Sequence, residues 1–213
     1  MTKKAKQKQP TLRELSAGAI PQHEQLAVVE DFKIGPDRSA AIVMSAWVER
    51  TLEQLIISVL PNANEKLIEK LLSGEGPMSS FYCKNLLGFG LGLYSQKTLD
   101  DLEIIRKIRN AFAHSARPIT FDTNQVSRET AKLTVDDEWM KSAAAITQAK
   151  SRAKYTAACL RFVVSFPIVS IARRFAKVKS VIDALKKIGR LTPTPEQEAN
   201  MNKAIATERT LKL

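Results

Sequence analysis

The chain has 213 residues, with 33 Lys+Arg against 22 Asp+Glu (formal charge +11), 44% hydrophobic residues, 8 Gly, 9 Pro, 2 Cys and 2 His. That is enough apolar content for a real core, and it excludes a disordered, collagen-like or disulfide-stapled chain. Cys83 and Cys159 lack CxxC spacing and read as reduced core thiols; with only His23 and His114 beside them, no metal and no cofactor is expected.

The charge is unevenly placed. Residues 1–13 carry five Lys/Arg and no acid, residues 14–140 carry 13 basic against 18 acidic side chains, and residues 141–213 carry 15 against 4. An acidic body thus bears a basic N-terminal tail and a strongly basic last third. The asymmetry fits an anionic partner, either nucleic acid or an acidic protein surface. It fits equally a solubility role, or pairing with the acidic body of the same or a second subunit. No apolar run follows the first lysines, so no secretory signal is expected. The apolar tracts 86–94 and 157–172 are too short or too interrupted to span a bilayer. A cytoplasmic protein without a membrane partner is the expectation.

In chain order, residues 1–13 read as a disordered basic tail, residues 14–190 as the helical-bundle domain and residues 191–213 as a C-terminal helical appendage. Asp37, after Gly35-Pro36, fits an N-cap. Ala41, Met44, Val48, Leu52, Leu55 and Val59 then repeat at helical spacing until Pro61. A shorter helix runs over 64–72 and stops at Ser73-Gly74-Glu75-Gly76-Pro77. An apolar helix follows over 79–93. Its Gly88, Gly90 and Gly92 alternate with apolar residues and read as close helix packing, since the run is not GxGxxG and follows no strand. The next helix spans 96–116 and is closed by Pro118. Asp122 then fits an N-cap with Gln125 at the third helical position, Phe121 stapling onto Val126.

From Trp139 to Ile188 the pattern predicts one or two long helices bent at Pro167. Val164, Ile168, Ile171, Phe175, Val178, Ile182 and Leu185 follow an a/d heptad. Arg173, Arg174, Lys177, Lys179, Lys186 and Lys187 occupy its other faces. Those heptads pack against the bundle or a dimer partner, or their basic flanks bind phosphates, or they contact a membrane surface. Thr194-Pro195-Glu196-Gln197 predicts a final capped helix. Trp47 and Trp139 read as core or interface residues. Strand signals are sparse, and the domain is expected to be all-α.

The segment Glu103–His114 carries the most chemistry. At 100° per residue, Ile104, Ile108, Ala111 and Phe112 share one face, while Glu103, Arg106, Asn110 and His114 form a polar ridge opposite, with Arg109 at its border. Spacing alone is met by a solvated helix face whose terminal histidine faces the helix dipole.

Arg109-Asn110-Ala111-Phe112-Ala113-His114 matches the Arg-polar-x-x-x-His signature of the HEPN superfamily of helical bundles. The wider stretch resembles the mannitol operon repressor family, most clearly over residues 38–126. It carries a Gly-Glu-Gly-Pro turn at 74–77, an apolar helix ending in Leu91-Gly92-Leu93, and an Arg-containing helix ending in His114. The resemblance implies an all-α, HEPN-like helical bundle, expected as a homodimer, to which the residue pattern adds the long basic C-terminal helical region. It further implies a transcriptional regulator acting through protein or nucleic-acid binding, although no helix-turn-helix is recognisable. A second implication is a metal-independent endoribonuclease, toxin-like, in which His114 moves a proton, Arg109 holds the phosphate and Asn110 orients a reacting group. Arg109 and His114 stand about 140° apart on an ideal helix, so they converge only if the helix end unwinds or a second subunit completes the site. The third implication is a non-catalytic protein-interaction module. Arg106, Arg173, Arg174, Lys177, Lys179, Lys186 and Lys187 are the expected contacts to RNA or DNA, or to an acidic partner protein.

Overall fold

The computed structural model describes residues 35–60, 64–72, 74–147, 149–165, 194–196, 199–200 and 203. Among them the chain is helical and contains no strand, as the sequence pattern predicts. The helices are α1 (Asp37–Val59), α2 (Glu65–Leu72), α3 (Phe81–Gly90), α4 (Gln96–His114), α5 (Asn124–Ala131) and α6 (Asp137–Ala144). A further helix, α7, is described over 150–165. The basic heptad region lies outside the described residues apart from Val164, which is exposed.

The first helix forms where its apolar stripe predicts it. Ala41, Met44, Val48, Leu52 and Leu55 are buried, and Val59 packs half-buried at the edge of the core. α1, α3 and α4 pack on one another pairwise, and α5 packs on α4. α7 closes the bundle: Tyr155, Ala158, Cys159 and Phe162 join the same core, and the Tyr155 hydroxyl donates to the Ala41 carbonyl at 3.0 Å. Phe112, Phe121 and Tyr155 stack in series, with ring centroids 5.0 and 5.1 Å apart. Trp47 packs half-buried against this core, and Trp139 against a smaller cluster of Ala143, Ala153 and Ala157.

Three local expectations are corrected. Asp37 is the first residue inside α1, and Pro36 takes the cap position. Its carboxylate is committed to the tertiary structure instead, accepting from the Phe121 N–H at 2.8 Å and pairing with Arg152 at 3.1 Å. Asp122 does not cap α5 either. Thr123 holds that position, and its hydroxyl oxygen accepts from the Thr120 N–H, closing the preceding turn. The helix expected from Trp139 onward is broken between Ala144 and residue 150. In one straight helix Trp139 and Ala157 would stand about 27 Å apart. Their shared apolar cluster therefore requires the chain to fold back between them.

The glycine run is likewise only partly a packing device. Gly88 is buried, and a Cβ there would meet the Tyr94 hydroxyl at 2.6 Å and its Cε1 at 2.9 Å. Gly90 faces open space, and Gly92, at φ +68°, ends α3 in the left-handed conformation that lets the Leu93 N–H reach the Gly88 carbonyl. The Tyr94 hydroxyl is fixed by Asn85, at 2.6 Å from its carbonyl oxygen and 2.8 Å from Oδ1. Gly88→Ala is thus expected to lose about 1–3 kcal/mol by overpacking, read as a lower denaturation midpoint. An unchanged midpoint would show that Tyr94 yields freely.

Candidate functional site

Two features stand out on the surface of the α1–α3–α4 layer. One is a cleft of about 280 Å³ lined by Glu49 of α1, by Ser79, Ser80, Phe81 and Tyr82 at the start of α3, and by Arg106, Arg109 and Asn110 of α4. α4 can present these polar groups because Leu102, Ile105, Ile108 and Phe112 bury its other side. Ser80 caps α3, its hydroxyl oxygen accepting from the Cys83 N–H at 3.1 Å.

Each arginine on the wall is held by a neighbour on its own helix. Arg106 grips Glu103 through Nε at 2.8 Å and Nη2 at 2.6 Å, and its guanidinium lies 5.4 Å from the Tyr82 ring centroid. The Arg106 hydrogen bonds hold the Glu103 carboxyl below its ordinary value. Arg109 donates from Nη1 to Asn110 Oδ1 at 2.9 Å, and no carboxylate among the described residues pairs with it. Glu49 is offset from behind by Lys84, a buried lysine whose ammonium lies 3.1 Å from Glu49 and 2.8 Å from Glu53. Arg50 adds a 2.6 Å contact to Glu53, and its Nε is buried without a partner.

The second feature is an apolar stripe. Tyr82, Leu86 and Phe89 occupy positions i, i+4 and i+7 of α3, within about 60° of arc. Their exposures are 49%, 45% and 37%, and Leu91 follows at 37%. Although apolar residues alternate with the glycines expected to pack closely, the bundle turns Leu93, Phe81 and Gly88 inward and leaves Leu86, Phe89 and Leu91 outside.

Of the sequence-predicted residues, Arg106, Arg109 and Asn110 come together in one cleft. His114 is exposed in the last turn of α4 and is not on the cleft wall. α4 runs unbroken through His114, with the Ser115 N–H bonded to the Ala111 carbonyl, so the local unwinding that would swing His114 toward Arg109 does not occur. Arg173, Arg174, Lys177, Lys179, Lys186 and Lys187 lie outside the described residues. Among the described residues, no cluster of three or more His, Cys, Asp or Glu could hold a metal, and no helix is long and apolar enough to cross a membrane.

Sequence reasoning did not select Glu49, Ser79, Tyr82 or Lys84. A single lysine within the apolar α3 sequence was the available signal for the last of these.

Among the described residues the fold is thus an all-α helical bundle with a polar cleft between α1, α3 and α4. The profile of the mannitol repressor family matches residues 36–188, and the chain belongs to that family. The match runs well past the 38–126 stretch that carries the resemblance in the sequence. A solved structure, the X-ray structure of the MtlR–HPr complex from Escherichia coli, aligns with a TM-score of 0.49 at 18% identity, covering 67% of this chain and 95% of that chain. No curated protein matches the chain.

Proposed function

We propose that this member of the mannitol repressor family is a regulator that works by docking a partner protein on the exposed stripe of α3. The observation that carries this reading is the alignment of Tyr82, Leu86 and Phe89 on one solvent-facing side, followed by exposed Leu91. Singly exposed apolar residues are ordinary on a protein surface, whereas an aligned aromatic and aliphatic set matches the anchors of protein interfaces. Arg106, lying over the Tyr82 ring while it holds Glu103, adds a charged rim, so a partner with an apolar patch bordered by charged groups is the best fit.

Leu86→Asp and Phe89→Asp test the reading, because both side chains face solvent and their loss leaves the core intact. Each variant is expected to fold with an unchanged thermal midpoint and to lose repression of a mannitol-operon reporter. Undiminished repression by both variants at normal protein levels would overturn the proposal. HPr, the partner in the Escherichia coli complex, is the first protein to titrate against wild type and variants by calorimetry.

A further inference from the structure

We propose that the cleft between α1, α3 and α4 is a receptor for a phosphate group, either free or carried on a small ester. The cleft borders the docking stripe and shares Tyr82 with it, but the proposal needs no partner protein.

Its basis is an excess of hydrogen-bond donors over acceptors on the cleft wall. With Arg106 bound to Glu103 through Nε and Nη2, its Nη1 has no acceptor among the described residues. Arg109 uses only Nη1 internally, on Asn110 Oδ1, which leaves its Nε and Nη2 and the Asn110 amide nitrogen without an acceptor among the described residues. The Ser79 and Tyr82 hydroxyls, and the first-turn N–H groups of Phe81 and Tyr82, also find none there. The one acidic residue on the wall, Glu49, is matched by the Lys84 ammonium behind it. A neutral polyol could accept these hydrogen bonds but would bring no negative charge to Arg109, and a cation would meet two guanidinium groups.

A phosphate supplies several acceptor oxygens and up to two negative charges, and a guanidinium fork meets two of those oxygens at once. A cleft of about 280 Å³ has room for a small ester beyond the phosphate itself. Its outer wall would be the Tyr82 ring. His114 lies off this wall, so the histidine that would move a proton is not beside the bound anion, and the site is proposed as a receptor.

The test is calorimetry on the full chain at low salt with inorganic phosphate, glycerol 3-phosphate and glycerol. Saturable binding of either phosphate is expected and none of glycerol; tighter binding of the ester assigns the site to small esters, and equal affinities assign it to free phosphate. Arg109→Gln removes a charge-assisted donor set and is expected to weaken binding about tenfold or more. Lys107→Gln, an exposed lysine on the same helix that does not line the cleft, is expected to leave affinity within about twofold. Circular dichroism and a thermal midpoint establish that each variant is folded. The proposal is overturned by no saturable binding, by equal loss in both variants, by undiminished binding in folded Arg109→Gln, or by a single-stranded RNA oligonucleotide binding more tightly than either phosphate through the same Arg109.

Discussion

Truncation of Phe121 to alanine is expected to cost about 3–5 kcal/mol of folding stability, a large share of what a domain of this size possesses. Phe121 is fully buried, although it sits in the turn between α4 and α5. Its ring lies between Phe112 of α4 and Tyr155 of α7, and its N–H is bonded to Asp37 at the start of α1. Three helices therefore meet around one loop residue. Removing the ring leaves a cavity among groups that cannot collapse easily: Tyr155 is anchored to Ala41, and Asp37 to Arg152. Phe121→Leu keeps most of the volume and is expected to cost roughly half as much or less. Urea denaturation measures both; a drop in the midpoint with an unchanged slope is the expected form. A loss below about 1 kcal/mol in Phe121→Ala would show that the α4–α5 turn is not the joint inferred from the packing.

How far the sequence reveals this architecture depends on where each residue's partners lie. α1 and α4 are legible because their apolar residues recur at the helical period and Pro61 and Pro118 follow their ends. Asp37 resists the same treatment: its neighbours spell an N-cap, but its partners are Phe121 and Arg152, 84 and 115 positions away. The break after Ala144 has no local signal, since residues 145–149 contain neither Gly nor Pro. It is imposed by the fold-back that brings Trp139 onto Ala157. α3 misleads in the opposite direction. A helix apolar on most sides reads as buried, and only the packing reveals that Leu86 and Phe89 are left outside. Half of the cleft was legible, because Arg106 and Asn110 share a ridge of one helix. The other half comes from α1 and the α3 start, whose approach to α4 is a tertiary fact.

Lys84→Met should combine a loss of stability with a change in the cleft. The Lys84 side chain is only 6% exposed and is held between Glu49 and Glu53. Methionine preserves most of the shape and removes the charge. Glu53 retains Arg50, whereas Glu49 loses the one cation paired with it among the described residues. Breaking a buried ion pair from one side costs about 3–5 kcal/mol, and partial exposure of Glu49 places the expectation near 3 kcal/mol. Adding Glu49→Gln removes the stranded carboxylate, so the double variant is expected to recover at least about 1 kcal/mol relative to the sum of the two single changes. Additive losses would mean that Lys84 acts by packing its stem, with its charge immaterial. The same carboxylate faces the cleft. In folded Lys84→Met it repels an anion beside Arg109, and phosphate affinity is expected to fall; in the double variant it is expected to return. Stability and anion binding would then rise and fall together at a residue that never touches the ligand, because Lys84 both holds α3 to α1 and keeps Glu49 from opposing the arginines of α4.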